Sequence, residues 1–187
     1  MYRLLLLLSA VGITTATYAQ QNRNMNDKKS NNKILVAYYS ATGTTARAAE
    51  KLAEITGGDL YAITPAQPYT DADLDWHDRQ SRSSKEMNDP KARPSLGGKK
   101  SDTAGYDTVF IGYPIWWDLA PRIINTFIES HDLKGKAVIP FATSGGSTIA
   151  GSAAALKQGY PELDWREGRL LNRINESSVR DWLEAAK

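Results

Sequence analysis

Three strongly apolar segments recur along the chain, and a polar loop and a helix-forming stretch follow each of them. They cover residues 34–39, 107–113 and 136–142. Short apolar runs between turn-forming residues are typical of strands buried on both faces of a sheet. Weaker strands are predicted at 59–64, an edge strand because its alternation is poor, and at 164–171. The chain is thus predicted to contain five strands.

Helix-forming segments separate these strands. The first covers 46–55 and is rich in Ala, Glu and Lys, and the second has Pro121 in its first turn. An alanine-rich helix to about Lys157 and a last helix opened by a Ser178-x-x-Asp181 capping box complete the set. The alternation predicts an α/β fold with a doubly wound, five-stranded parallel sheet in three α/β/α layers.

Residues 69–100 are the least regular part of the chain. A polar helix is predicted within 71–87, and prolines and glycines mark a loop after it. His77 and Arg82 are interpreted as solvated surface residues rather than as catalytic ones. Long excursions between compact elements are often lids or binding loops, so a functional role of this segment stays open.

The polar loops after the three apolar strands hold the candidate site residues. In a parallel sheet all strands end at the same edge, so these loops are expected to lie together. The first loop offers hydroxyl groups, a glycine and the start of a helix, which are the elements of an anion site. Its residues are Ser40, Ala41, Thr42, Gly43, Thr44 and Thr45. A hydroxyl-rich cap that merely starts the helix is the alternative.

The second and third loops supply flat rings and uncovered backbone. The second loop comprises Tyr113, Pro114, Ile115, Trp116 and Trp117. Its aromatic rings suit stacking on a heterocycle, although the two adjacent indoles cannot both face one way. The third loop comprises Thr143, Ser144, Gly145, Gly146 and Ser147. Its glycines would let the backbone approach a ring edge, and a turn that only starts the next helix is the alternative.

The first loop resembles the phosphate loop of flavodoxins, Thr/Ser-x-Thr-Gly-x-Thr, and lacks the ending of a Walker loop. The Tyr-Pro-Ile-Trp-Trp and Thr-x-Gly-Gly segments are similar to those of bacterial flavodoxin-like proteins. The resemblance implies a sheet of order 2-1-3-4-5 and a bound FMN. The phosphate of FMN would lie in loop 40–45, and its isoalloxazine would lie beside 114–117 with its far edge against 143–147.

Two features depart from the flavodoxins that carry single electrons. Those proteins are usually strongly acidic, whereas this chain has a formal charge of +2. Their second loop commonly has a glycine whose peptide flips on reduction, and here it reads Trp117-Asp118-Leu119. The resemblance therefore implies a redox flavoprotein that serves either a redox partner protein or a small electron acceptor such as a quinone. A module that keeps the fold but binds another phosphate-bearing ligand, or none, is the alternative.

Residues 1–19 have the pattern of a secretory signal peptide. Arg3 precedes an apolar core at 4–13, and small residues lead to a cleavage site after Ala19. The core is shorter than the roughly 18 residues of a membrane-spanning helix. Residues 20–32 are predicted to be a disordered leader, and 33–187 the flavodoxin-like domain. The mature chain is therefore expected to be periplasmic or secreted, without membrane insertion.

Charge and composition disfavour several other functions. A nearly neutral chain without a basic stripe gives no electrostatic basis for nucleic-acid binding. The absence of cysteine excludes a disulfide framework and a lipid-anchored precursor. His77 and His131 are the two histidines, and both lie far in sequence from the loops. Hydrolase and metal sites are therefore not predicted.

Overall fold

The computed structural model describes residues 32–98 and 101–185. The predicted signal peptide and nearly all of the predicted leader lie outside these residues. The strands are β1 (Ile34–Tyr38), β2 (Asp59–Ala62), β3 (Thr108–Pro114), β4 (Ala137–Thr143), β5 (Asp164–Trp165) and β6 (Arg169–Leu170). The helices are α1 (Thr44–Thr56), α2 (Arg82–Asn88), α3 (Arg122–Ser130), α4 (Ile149–Gly159) and α5 (Glu176–Ala185).

The strands form one parallel sheet in the order β2-β1-β3-β4-β5, and β6 also pairs with β4. This confirms the predicted fold class and strand order. The sequence order reverses between β1 and β3, since β2 lies on one side of β1 and all later strands lie on the other. Ligands of open α/β sheets bind at the carboxyl ends of the strands beside such a reversal.

The last predicted strand is split in two, and Pro140 explains the split. Val138 O accepts from the Arg166 amide at 2.9 Å, and Ala142 O accepts from the Leu171 amide at 2.7 Å. Backbone groups point to alternate sides along a strand, so Pro140 faces the same neighbouring strand as Val138 and Ala142. Pro140 has no N–H to donate, and the ladder of hydrogen bonds is therefore interrupted at this position. The chain therefore pairs with β4 as two short strands.

Helices cover both faces of the sheet. On one face, Val36 of β1 packs in a cluster with Leu52 of α1 and Trp182 of α5. Its neighbour Leu35 belongs to the cluster on the opposite face, which includes Phe127 of α3 and residues of α4. The continuous apolar pattern of β1 is thus explained by burial on both faces.

Two predicted helix starts are wrong. The last helix begins at Glu176 rather than at the Ser178-x-x-Asp181 box, because the Asn175 side chain already accepts from the Ser178 amide at 3.2 Å. Pro121 does not lie in the first turn of α3 but precedes it in an extended conformation, with ψ 144°. No helix in the described ranges is long and apolar enough to cross a membrane.

Residues 66–95, called the insertion below, connect β2 to β3. Backbone bonds close its base, from Ala66 N to Ser95 O at 2.8 Å and from Gly97 N to Thr64 O at 2.7 Å. The polar helix predicted within 71–87 is wrong for most of its length, since α2 begins only at Arg82.

Aspartate side chains explain why the first part of the insertion is not helical. The carboxylate of Asp75 accepts from the amide two residues further along the chain at 2.9 Å, and that of Asp78 does the same at 2.7 Å. Such local bonds compete with the helical pattern. Arg82 is also not a solvated residue, because it is half-buried, bonds Glu86 at 2.7 Å and lies over the Tyr69 ring.

Candidate cofactor site

The three loops meet at the carboxyl edge of the sheet. Backbone bonds join the strand ends, from Tyr39 N to Gly112 O and from Ile115 N to Thr143 O, each at 2.9 Å. The hydroxyls of Thr45 and Thr143 lie 2.8 Å apart, which ties the first turn of α1 to the end of β4. The sequence prediction that these loops share one edge is therefore confirmed.

The first loop ends in an open helix start. Gly43 is the N-cap residue of α1 with φ 86°, a left-handed conformation that favours glycine, and its amide donates to Ser40 Oγ at 3.1 Å. No side chain caps the helix, so the amides of its first turn are available to an anion. The alternative of a hydroxyl side chain that serves as the cap is therefore wrong. Thr42 and Thr44 are exposed at this helix start.

Thr45 is placed differently from the other hydroxyl residues of the first loop. It is 1% exposed, and its hydroxyl is engaged with that of Thr143, which is 4% exposed. One of the two hydroxyls donates its hydrogen to the other in this bond, and the accepting hydroxyl keeps its own O–H available as a donor. The main role of Thr45 is thus to hold the first loop against the sheet.

The second loop contains a tight turn that the absence of glycine did not suggest. Trp116 and Leu119 exchange two backbone bonds of 2.9 Å, and the residues between them, Trp117 and Asp118, have φ 46° and 60°. Positive φ at both central positions characterises a type I′ turn, which usually contains Asn or Gly. A left-handed residue other than glycine costs about 1–2 kcal/mol. The turn leaves Trp117 47% exposed.

The two indoles of the second loop have different surroundings. Trp116 is half-buried, and its ring makes edge contacts with Tyr39 at 5.8 Å and Tyr69 at 5.6 Å between centroids. Trp117 extends from the tip of the turn. The prediction that the two adjacent rings face different ways is therefore confirmed. Both rings nevertheless line the same cavity.

Tyr113 is not part of the aromatic wall, and this prediction was wrong. Its side chain is fully buried in the core, its hydroxyl lies 3.2 Å from Ser152 Oγ, and burial raises its pKa to about 12. Side chains alternate along β3, and Tyr113 points to the face covered by α4. A strand that is apolar on both faces gives no sequence pattern from which this direction can be read.

The third loop is held by its own serine and by Asn172. Ser144 Oγ accepts from the amides of Gly146 at 3.2 Å and Ser147 at 2.8 Å. The Asn172 side chain accepts from Ser144 N at 2.8 Å and donates to Ser144 O at 2.6 Å. Helix α4 begins only at Ile149, so the loop is more than a helix start. Asn172 could not be predicted as a site residue, because it follows β6 and lies far from the third loop in sequence.

The glycines of the third loop leave backbone uncovered. A Cβ atom built on Gly145 or Gly146 would have no protein atom within 4 Å, and neither residue has a positive φ. Neither the fold nor local sterics therefore requires glycine here. Glycine at both positions suits the close approach of a ligand from the open side.

A cavity of about 600 Å³ lies between the second and third loops. The loops contribute Ile115, Trp116, Trp117, Ser144, Gly145, Gly146 and Ser147 to its lining. The insertion contributes Leu74, Trp76 and Ser83, none of which was predicted to be a site residue. The exposed tryptophan at position 76, in an otherwise polar segment, was the one sign that the insertion takes part.

The chemistry of these residues fits FMN. The first loop presents hydroxyls and helix amides, and the guanidinium of Arg47 lies 3.4 Å from Thr44 Oγ1. Among the described residues, no carboxylate lines this cavity or the separate cavity that includes Ser40, Ala41 and Gly43 of the first loop. A phosphate would therefore meet donors without repulsion, and a flat apolar ring system would meet indoles and bare backbone.

A parallel sheet of order 2-1-3-4-5, with its polar loops at the carboxyl edge, defines the flavodoxin-like class of α/β folds, for which flavodoxin is the standard example. The family model described as flavodoxin matches residues 33–186. The chain belongs to this flavodoxin family.

Solved structures agree with this membership. A candidate flavoprotein from Bacteroides eggerthii is 69% identical, with TM-score 0.82, over 83% of this chain and 98% of that protein. One from Bacteroides uniformis is 58% identical, with TM-score 0.78, over 81% and 97%. A Lactobacillus acidophilus flavoprotein solved in complex with FMN is 24% identical, with TM-score 0.66, over 81% and 99%, and it shows the fold alone. No curated protein matched the chain.

Proposed function

We propose that this protein binds FMN and acts as a redox flavoprotein that reduces a small acceptor. One observation carries the proposal, namely that an uncapped helix start in a neutral hydroxyl loop lies at the same sheet edge as an indole-lined cavity of about 600 Å³. Membership of the flavodoxin family supports it, as does the FMN complex of the distant Lactobacillus protein.

The first loop would hold the phosphate. The first-turn amides of α1 and the hydroxyls of Ser40, Thr42 and Thr44 are its donors, and the positive end of the helix dipole favours an anion there. Thr45 and Thr143 would keep the loop in place through their buried contact.

The cavity would hold the isoalloxazine. Trp116 and Trp117 supply flat apolar surface, and the bare backbone of Gly145 and Gly146 allows close approach at the opposite loop. FMN supplies the electron-transfer chemistry when it is bound, whereas the chain's residues position the ring and restrict water.

The second-loop turn favours two-electron chemistry over single-electron transport. Two backbone bonds already hold the Trp117–Asp118 peptides in the left-handed region. Flipping the peptide between Trp117 and Asp118 would convert this type I′ turn to type II′, in which the first central position favours glycine and here holds Trp117. The peptide flip by which electron carriers stabilise a half-reduced flavin is therefore disfavoured here. The near-neutral charge of the chain also removes the surrounding carboxylates that would oppose full reduction.

A redox titration of the FMN-loaded protein tests the electron number. We expect one transition with a slope of about 30 mV per tenfold change in the oxidised-to-reduced ratio, the value for two electrons. Two separated transitions of about 59 mV each would instead identify a one-electron carrier.

Replacement of one hydroxyl tests the phosphate site. Thr42→Ala should weaken FMN about tenfold or more, because a charge-assisted bond is worth about 1.5–3 kcal/mol, and should leave riboflavin affinity unchanged. Thr56→Ala is the matched control, since its hydroxyl bonds Leu52 O at the other end of α1. If Thr42→Ala lowers the affinities for FMN and riboflavin equally, the first loop is not the phosphate site.

We also propose that the chain is exported, on the basis of the signal-peptide pattern of residues 1–19. N-terminal sequencing of protein from the periplasm or medium should begin near Gln20. Recovery of intact Met1 in the cytoplasm alone would contradict export.

A further inference from the structure

Two exposed tryptophans mark a second cavity next to the cofactor cavity. Three large hydrophobic side chains are exposed among the described residues, and two of them are Trp76, at 66%, and Trp117, at 47%. Both line the cofactor cavity and also a neighbouring cavity of about 400 Å³. The two cavities therefore share a wall of indole rings. Exposed apolar side chains clustered around a concavity are typical of a ligand site.

The second cavity is polar on its other sides. Its remaining lining residues are His77, Arg79, Ser84 and Asn88, all from the insertion. The Ser84 hydroxyl already donates to Asp78 O at 2.7 Å. The side chains of Arg79 and Asn88 make no hydrogen bond or ion pair to another described residue, so their donors are free for a ligand.

The ring of His77 extends the flat surface. It lies 3.5 Å from the Trp76 ring between centroids, at an interplanar angle of 33°. Asp75 orients this residue, because its carboxylate accepts from the His77 amide at 2.9 Å and lies 3.4 Å from Nδ1. Asp75 itself does not line the cavity, and no carboxylate does so among the described residues.

The segment that carries these groups is held in place. Ser81 Oγ accepts from the Ser84 amide at 3.2 Å and caps α2, and the Arg122 guanidinium donates to Met87 O at 2.9 Å from α3. Arg79 and Asn88 therefore project from a segment fixed at both ends of α2. Because the side chains and backbone of this cavity are already held in place, little conformational entropy is lost when a ligand binds.

We propose that this second cavity binds the electron acceptor, and that the acceptor is a planar aromatic molecule with an anionic oxygen substituent. Flat rings stack on Trp76, His77 and Trp117. An oxyanion suits the guanidinium of Arg79 and the amide of Asn88. The assignment rests on the proposed function, because it takes FMN to occupy the cavity on the other side of the indole wall.

The redox step balances for an acceptor of the quinone type. A quinone takes up two electrons and two protons, and its two carbonyl groups become the hydroxyl groups of the hydroquinone. Reduced FMN would give up two electrons and two protons and become FMN, which balances the exchange. The electrons would cross the indole wall to the quinone, and the protons would be exchanged through the water around the exposed Trp76 and Trp117. The shared wall would keep the acceptor beside the cofactor cavity, so the electrons have only the indole rings to cross.

Two naphthoquinones of similar size test the inference. Lawsone carries a hydroxyl group that is ionised at neutral pH, whereas menadione carries an uncharged methyl group. Equilibrium dialysis against the full chain loaded with oxidised FMN measures the binding of each without turnover. Wild-type protein should bind lawsone more tightly than menadione. Arg79→Ala should weaken lawsone about fivefold, the upper range for an exposed ion pair, and leave menadione unchanged, and Arg79→Lys should restore part of the preference.

Two further variants complete the experiment. Trp76→Ala should weaken both naphthoquinones, since it removes stacking surface. Arg180→Ala is the matched control, because this exposed arginine of α5 pairs with Glu176 and does not line either cavity. FMN affinity is measured separately by flavin fluorescence and should be the same as wild type in Arg79→Ala, Arg79→Lys and Arg180→Ala. Trp76 also lines the cofactor cavity, so Trp76→Ala is expected to weaken FMN binding as well, and its naphthoquinone binding is measured at saturating FMN.

The outcomes separate the inference from the proposed function. If wild-type protein binds no FMN, the proposed function itself fails. If FMN binds but lawsone and menadione bind equally, or Arg79→Ala changes neither, the second cavity is not the acceptor site.

Discussion

The cofactor cavity has two walls that arise in different ways. One wall consists of the loops after β3 and β4, which the sheet places by a general rule of parallel strands. The other consists of Leu74, Trp76 and Ser83, which reach the cavity only because the insertion folds back over the sheet edge. The first wall depends on strand order, whereas the second depends on a few specific side-chain contacts.

Those contacts anchor the insertion to two places. Toward the end of β1, the Tyr69 ring packs against Tyr39 at 5.9 Å between centroids, and the Tyr69 hydroxyl donates to Glu86 within the insertion. Toward α3, Arg122 donates to Met87 O, and Arg93 bonds Glu129 at 2.8 Å. We infer that the sheet loops determine cofactor affinity and that the insertion determines access and choice of acceptor. Substitutions in each wall test this division.

Replacement of Arg122 should have the largest effect, which is faster local opening of the insertion without a change in the sheet loops. Arg122→Ala removes donors to Glu86 O at 3.3 Å and Met87 O at 2.9 Å, at a cost of about 1–3 kcal/mol. Amide hydrogen exchange of residues 82–88 should accelerate about tenfold or more, while FMN affinity changes by less than about threefold. Arg180→Ala, on α5, should change neither quantity. A collapse of FMN affinity in Arg122→Ala would mean that the two walls are not separable.

Gly43→Ala should act mainly on the first loop, which is another of the sheet loops and does not belong to the insertion. An alanine at φ 86° costs about 1–2 kcal/mol and distorts the helix start, so FMN should bind about tenfold more weakly while riboflavin binding is unchanged. Gly57→Ala is a close control, because Gly57 has φ 69° at the other end of the same helix. It should lower stability similarly but leave FMN affinity intact. An equal loss of FMN affinity in the two variants would show that the loss reflects the stability of the helix rather than the geometry of the first loop.

Asn172→Ala should have a smaller effect that does not depend on the phosphate. The variant loses two bonds to Ser144, each worth about 0.5–1.5 kcal/mol at most. Because the third loop is assigned to the ring, FMN and riboflavin should weaken together, by about threefold to tenfold. Asn175→Ala, which removes the cap of α5, should destabilise the fold without changing the affinity of either flavin. Selective weakening of FMN would assign the third loop to the phosphate instead.

The Arg93–Glu129 pair should give the insertion a small pH dependence. The hydrogen bond from Arg93 lowers the pKa of Glu129 from its ordinary value of 4.5. A lowered pKa in the folded state stabilises the fold above the unfolded value, and this contribution is lost as the pH falls through the folded pKa. The free energy of unfolding of Glu129→Gln should therefore differ from wild type by less than about 1 kcal/mol at neutral pH, because the pair is partly exposed.

That difference should shrink as the pH falls below the ordinary glutamate pKa of 4.5 and through the lowered pKa of Glu129, where the wild-type carboxylate becomes protonated. Denaturant unfolding of both proteins across this range measures it. A difference that stays constant with pH would show that the carboxylate charge is not responsible.

Features that depend on strand position were predictable from the sequence, whereas those that depend on side-chain direction were not. Loop 40–45 was identifiable because its residues are contiguous, and Gly43 takes the positive φ expected of it. Tyr113 was assigned to the wrong face, because β3 is apolar on both sides and has no alternating pattern.

The partners in contacts between distant segments could not be predicted from the sequence. Asn172 holds Ser144 from 28 residues away, and Trp76 reaches the cavity through the fold of the insertion. The turn at Trp117 and Asp118 was not foreseen, since neither residue type favours positive φ as strongly as glycine does.

Titration of the cofactor-free chain with FMN and with riboflavin tests the central claim most directly. Flavin fluorescence reports binding, and the two ligands differ only in the phosphate that the first loop is proposed to hold. We expect one FMN per chain, with riboflavin bound at least about tenfold more weakly, because charge-assisted bonds to the phosphate are lost. No FMN binding, or equal affinity for the two flavins, would contradict the assignment of this sheet edge as an FMN site.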